Sequence, residues 1–196
     1  MNQSLRIAVA DDEADMRDYL ADVLPDLGHT VVGAAATGRE LLALCTAEQP
    51  DLVISDIRMP DMDGIDAAAA ICRERTVPVI LVSGYHDAEL VNRAEQAHVL
   101  AYLIKPVQRP HLETAIAIAW RRFDEFTALR KEAADLRQTL EDRKLIEQAK
   151  GVLMKKAGLT EADAFRRLQK LARDENRKMV DLAKMILTAE KALGPG

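Results

Sequence analysis

A chain of 196 residues with 48% hydrophobic and 30% charged side chains holds enough apolar material for one or two globular domains, which excludes a fibrous or wholly disordered protein. The formal charge of −5 hides a division: residues 1–120 carry 9 Lys and Arg against 19 Asp and Glu, residues 121–142 carry 5 against 6, and residues 143–196 carry 13 against 7. An acidic front and a basic rear argue against one uniform domain and predict units over 1–120, 121–142 and 143–196. The opening MNQSLRIAVADDE has only a short apolar run, broken by Arg6 and ended by acids, so it predicts neither signal peptide nor membrane span, and a cytoplasmic location is expected. Cys45 and Cys72 lack CxxC spacing or a histidine cluster and read as small buried apolar groups rather than metal ligands.

In chain order, apolar runs at Leu5–Ala10, Thr30–Ala34, Asp51–Asp56, Val77–Ser83 and Val99–Ile104 alternate with helical patterns near 14–24, 38–48, 65–74, 87–96 and from about 110, where Pro110 suits a first turn. This (βα)₅ rhythm predicts an α/β fold, a doubly wound five-stranded parallel sheet of order 2-1-3-4-5. From Pro110 to Lys156 the sequence has no further proline and only Gly151 as a glycine, predicting one long helix. Phe126, Leu129, Ala133, Leu136 and Leu140 recur at steps of 3, 4, 3 and 4, a coiled-coil seam about two heptads long. Upstream, Ile116, Ala119, Phe123 and Phe126 fit either a continuation of that seam or packing of the helix on its own domain. Beyond it, Gly158 reads as a C-cap and Thr160 as an N-cap with Asp163 three residues on. Ala164, Phe165, Leu168, Leu171 and Ala172 then share a face, Asn176 marks a second break, and Leu182, Ala183, Ile186 and Leu187 complete a three-helix bundle.

The strand ends carry a matched set of polar groups. Asp11 and Asp12 follow the first strand, Asp56 ends the third, Ser83 the fourth, and Lys105 follows the fifth. Carboxyl ends of parallel strands are where open α/β sheets bind ligands. Three carboxylates converging there repel one another unless a hard cation joins them, and Mg²⁺ suits an all-oxygen set. Lys105 and Ser83 suit the oxygens of a phosphoryl group, with Asp56 as the nucleophile that accepts it.

The motifs ADDE, DLVISDIRMPDMDG, VPVILVSGY and AYLIKP make residues 1–120 resemble the receiver domain of a two-component response regulator. The resemblance implies a flavodoxin-like fold, Asp56 as phospho-acceptor, Mg²⁺ held by Asp11, Asp12, Asp56 and the backbone carbonyl of Arg58, and Lys105 as phosphoryl ligand. Ser83 and Tyr102 form the implied switch pair, with Ser83 in place of the commoner Thr and Gly84 in place of Ala. It further implies a sensor histidine kinase as phosphoryl source and slow hydrolysis of the acyl phosphate, without making the chain an enzyme in the ordinary sense. Arg58 and Tyr85, two positions past Asp56 and Ser83, either shield the acyl phosphate from water or lie in solvent.

The basic rear predicts an anionic partner. Lys155 and Lys156 end one helix, and Arg166, Lys170 and Arg173 share a face of the next. The stretch Ile146–Leu187 resembles the ANTAR domain, on Ile146, Ala149, Lys150, Gly151, Leu153, Ala164, Phe165, Leu168, Ala172, Asn176 and Ala183. That resemblance implies binding to RNA stem-loops and transcription antitermination. The basic residues Lys150, Lys155, Lys156, Arg166, Lys170 and Arg173 are the expected contacts, and Ala149 and Gly151, small residues on an otherwise bulky helix, either belong to the core with most matched positions or permit close backbone approach to RNA. A homodimer favoured by phosphorylation, through the Leu129–Leu140 seam, is expected. Two other readings stay open: a tail that binds DNA, although no helix-turn-helix recognition helix after a tight glycine turn is evident, and a tail that only dimerises or binds protein.

Overall fold

The computed structural model describes residues 4–84 and 99–193. The helix expected near 87–96, and Tyr85, lie outside the described residues. Five parallel strands, β1 (Arg6–Ala10), β2 (Thr30–Ala35), β3 (Leu52–Asp56), β4 (Val79–Ser83) and β5 (Val99–Ile104), form one sheet of order β2-β1-β3-β4-β5. Among the described residues the helices are α1 (Ala14–Asp26), α2 (Gly38–Glu48), α3 (Gly64–Glu74), α4 (Arg109–Ala157), α5 (Glu161–Asp174) and α6 (Met179–Leu193). The chain divides into two compact units, 1–127 and 128–196. None of these helices is long and apolar enough to cross a membrane.

Because side chains alternate across a strand, the continuous apolar runs serve two cores at once. Ile7 and Val9 of β1, Leu52 and Ile54 of β3 and Ile80 and Val82 of β4 pack with Leu20 and Leu24 of α1 and with Leu112, Ile116 and Ala119 of α4. Ala8, Val53, Val79 and Leu81 face the opposite way, onto Leu41 and Cys45 of α2 and Ile65, Ala68 and Ile71 of α3. Cys45 is buried there, and burial pushes its thiol up to about 12, so it behaves as an inert apolar group. Cys72 is half-buried.

Helix starts follow local capping chemistry. Thr37 Oγ1 accepts from Glu40 N at 3.2 Å to open α2, Asp63 Oδ1 from Asp66 N at 2.8 Å to open α3, and Thr160 Oγ1 from Asp163 N at 3.2 Å to open α5. Gly158, at φ +63°, ends α4 in the left-handed region that a Cβ disfavours, and Asn176 (φ 52°) turns the chain between α5 and α6. In the second unit Ala149 of α4, Leu168 and Ala172 of α5 and Leu182 and Ala183 of α6 form the core.

The long helix is uninterrupted over 49 residues. Its first part packs on the sheet: Leu112, Ala115, Ile116 and Ala119 are buried, so of the upstream apolar positions Ile116 and Ala119 serve the core of the first unit, whereas Phe123 is half-buried and Phe126 exposed. From 128 to 141 every residue is exposed. Phe126, Leu129, Leu136 and Leu140, the seam residues, are 45%, 65%, 61% and 59% exposed.

Candidate functional site

Three of the acidic groups converge where the sheet topology puts them. Carboxylate oxygens of Asp11, Asp12 and Asp56 all lie within 4.8 Å of one another, with Asp11 and Asp56 buried and Asp12 exposed. Asp11 is held by its own N–H, which donates to the Ala35 carbonyl at the end of β2 (3.1 Å), and its Oδ1 accepts from Glu13 N at 3.0 Å. Arg17 Nη1 donates to the carbonyls of Asp11 (2.7 Å) and Asp12 (3.0 Å), bracing the loop. Asp56 Oδ1 accepts from Ile57 N at 2.9 Å, which orients the carboxylate. A glycine is required behind it: a Cβ on Gly64 would collide with the Asp56 carbonyl oxygen and stand 2.9 Å from Ser55 Oγ, so α3 can start this close to β3 only without a side chain.

Lys105 enters from the far side of the switch point. Its N–H donates to the Ser83 carbonyl (2.8 Å), and its Nζ lies 3.0 Å from Asp11 Oδ2, 2.9 Å from Glu13 Oε1 and 3.5 Å from Asp56 Oδ2. Burial works against the Lys105 charge, but the hydrogen bonds to Glu13 and Asp11 and the nearby Asp56 charge outweigh it, holding its pKa above the ordinary lysine value. A cleft of about 200 Å³ is lined by Asp12, Glu13, Asp56, Arg58, Ser83, Gly84 and Lys105. Arg58 is exposed at its rim and Ser83 is buried at the end of β4. Tyr102 is not among the lining residues; it is half-buried on β5, against the core cluster of α2 and α3.

The donor set fits a hard divalent cation. Its side-chain ligands are carboxylate oxygens alone, and Asp11 Oδ2 is buried with no hydrogen-bond donor, only the Lys105 ammonium as countercharge. The strain shows in Asp56, whose pKa is raised to about 6 by burial first and the Asp11 carboxylate second, against the opposing pull of Lys105 and the Ile57 N–H. A carboxyl whose pKa is higher folded than unfolded contributes stability that is full below about 4 and is lost as pH rises through about 6. In metal-free buffer at pH 8, Asp56→Asn, neutral throughout, is therefore expected to be more stable than the parent chain by about 1–2 kcal/mol after allowance for solvent screening. The gap should close near pH 4, and thermal melts of both proteins at the two pH values in EDTA check it; equal melting at pH 8 would show that the cluster carries no repulsive cost.

On the basic unit the residues separate. Lys155 and Lys156 near the end of α4 and Lys170 and Arg173 on α5 are exposed, as is Arg166, whose Nη2 pairs with Asp163 Oδ1 at 2.8 Å. Lys150 does not join them. It is 6% exposed, with Nζ 2.8 Å from both Glu147 Oε2 and Glu161 Oε1, and those two hydrogen bonds hold its pKa above the ordinary value. Its charge is thus already countered by two carboxylates. Ala149 is wholly buried in the bundle core, whereas a Cβ on Gly151 would meet nothing within 4 Å beyond its own helix backbone and chain neighbours. Phe165, assigned by its spacing to the core, is instead 41% exposed, because Ala164, Leu168 and Ala172 on the adjoining stripe already fill the space between the helices. Sequence reasoning missed Glu13, Arg17, Glu147 and Glu161. Glu13 follows the aspartate pair directly, a visible signal that reads equally well as an acid at a helix start.

Two family models match the chain: the response regulator receiver domain over residues 7–117 and the ANTAR domain over 134–187. The transcriptional regulatory protein PdtaR of Mycobacterium tuberculosis is 43% identical over 182 residues, covering 93% of this chain and 89% of that protein. The transcriptional regulatory protein HptR of Staphylococcus aureus is 37% identical over 113 residues, covering 57% of this chain and 44% of that one. Among solved structures, the signal receiver domain of NarL from Mycobacterium tuberculosis aligns at a TM-score of 0.58 and 31% identity, covering 61% of this chain and 98% of that domain.

Proposed function

Because the chain belongs to the response regulators that join a receiver domain to an ANTAR domain, we propose that it is a phosphorylation-dependent regulator that binds RNA stem-loops and thereby causes transcription antitermination. The observation that carries the reading is the convergence of Asp56, Asp11, Asp12 and Lys105 at one end of the sheet in a chain whose other unit presents exposed lysines and arginines.

In the proposed reaction Asp56 attacks the phosphorus of a phosphohistidine on a sensor kinase. The new bond forms from a carboxylate oxygen to phosphorus, the P–N bond breaks, and the leaving imidazole nitrogen takes a proton. Ile57 N–H keeps Oδ1 engaged, which leaves Oδ2, the oxygen nearest Lys105, to attack. Lys105 then exchanges Asp11 and Glu13 for a phosphoryl oxygen, and the Ser83 hydroxyl donates to another, with Tyr102 following as its switch partner. Asp11, Asp12, Asp56 and the Arg58 carbonyl would hold a Mg²⁺, which would supply countercharge for the phosphoryl oxygens. Water later hydrolyses the acyl phosphate slowly.

The second unit takes RNA phosphates on Lys155, Lys156, Arg166, Lys170 and Arg173, while Lys150 with its two glutamates braces the turn between α4 and α5. The exposed Phe126–Leu140 seam brings two chains side by side as a homodimer, so that two such units engage two neighbouring hairpins. Linking two weak sites raises avidity roughly 10²–10⁴-fold when geometry permits. A cytoplasmic location accords with both partners.

The test compares a tandem hairpin RNA, each hairpin alone, and double-stranded DNA by gel shift, with and without phosphorylation, at two salt concentrations. Tighter binding of the tandem RNA by the phosphorylated chain is expected, falling steeply with salt, and Lys155→Ala should lower that slope by about one unit. Equal, tight binding to DNA would replace this reading with that of a DNA-binding regulator, and binding to neither polymer would leave only a dimerising or protein-binding tail.

A further inference from the structure

Phe165 is the only aromatic residue after Phe126, and it is not spent on the core. It stands 41% exposed on α5, and the Lys150 ammonium lies over its ring, 6.0 Å from the centroid. A buried cation behind a ring, with the ring still open to solvent, is an arrangement that fits a second flat group on the free side. The flanking charges narrow what that group is. Glu147 and Glu161, with side chains 55% and 70% exposed, both reach Lys150, so the two carboxylates outnumber the one ammonium behind the ring, while Arg166, Arg167 and Lys170 lie exposed on the same helix. A phosphate is repelled beside those carboxylates, whereas a nucleobase has an uncharged π face and N–H groups that a carboxylate accepts.

We infer that Phe165 is the stacking platform for one unpaired loop base of the RNA, held from behind by Lys150, while the exposed basic residues take the backbone. This rests on the RNA-binding reading above and adds to it where the loop is read. In a paired stem the base faces are covered by their neighbours, so the subsite selects hairpins by a base splayed out of the loop.

The experiment uses the full-length phosphorylated chain and the tandem hairpin RNA, carrying 2-aminopurine at each loop position in turn. Binding should quench one loop position strongly. Phe165→Leu, which keeps an apolar side chain but has no π face, should abolish the quench and weaken binding about 10- to 100-fold without changing the salt slope, whereas Phe165→Trp should keep both. Unquenched fluorescence at every loop position of RNA bound by the parent chain overturns the inference, and does so whatever the variants do. So does unchanged affinity of Phe165→Leu, which would give the ring to a protein contact. If the parent chain binds no hairpin at all, the RNA-binding reading itself falls and takes this subsite with it; that outcome is distinct from hairpin binding that leaves Phe165 unused.

Discussion

Asp56→Asn is expected to take up no phosphate from a small phosphoramidate donor with Mg²⁺, under conditions in which the parent chain is labelled once. The physical case is positional. Of the carboxylates in the cluster, Asp56 lies at the end of the central strand β3, with one oxygen fixed by the Ile57 N–H at 2.9 Å and the other facing the Lys105 ammonium at 3.5 Å. Asp11 is set deeper, with Oδ2 on Lys105 and Oδ1 bound to the Glu13 N–H, and it is absent from the lining of the cleft. Asp12 lines the cleft, but it is exposed, and its backbone rather than its carboxylate is what Arg17 fixes. Asparagine keeps the size and the hydrogen bond of Asp56 while removing the nucleophilic anion, so the effect on chemistry is separable from any effect on folding. Intact mass spectrometry of both proteins reads the result; equal labelling of the Asn protein would move the acceptor to another carboxylate. Lys105→Ala should by contrast still label, more slowly, since it removes a countercharge and not the nucleophile.

The second large effect concerns assembly. Leu136→Glu is expected to weaken the proposed phosphorylation-favoured dimer by at least about 100-fold. Leu136 is 61% exposed in the single chain, as are its seam neighbours Leu129 at 65% and Leu140 at 59%, on a stretch of α4 where no residue from 128 to 141 is buried. A leucine buried in a coiled-coil seam contributes about 1.5–3 kcal/mol, and an unpaired carboxylate in its place adds a desolvation cost of several more. Two-fold symmetry applies that cost from both chains. Sedimentation velocity under phosphorylating conditions decides the matter, with Gln138→Glu as a charge change on the same helix away from the seam. An unchanged Leu136→Glu dimer would move the interface off α4 altogether.

Much of this protein is legible without coordinates, and the legible parts share a cause. The succession of strands and helices, the Thr160 cap and the left-handed break at Gly158 all depend on interactions within about one turn or one pleat, so residue order alone determined them. The five-strand order 2-1-3-4-5 followed from the (βα)₅ rhythm, because helices that must cover both faces of a parallel sheet wind it outward from one switch point. Partners across long separations were settled elsewhere. Lys105 meets Glu13 and Asp11 across 92 and 94 residues, and nothing in the local pattern tells that Glu13 serves a lysine ammonium rather than a helix dipole. Periodicity put Phe165 on the core face, yet a bundle closed by Ala164, Leu168 and Ala172 has no room for it; conversely Lys150, a surface residue by type, is drawn inside by two glutamates. Spacing along a helix says which side chains share a face. Which of them finds room and a counterion is decided only when the helices pack, because that depends on the volume and charge of residues far away in the chain.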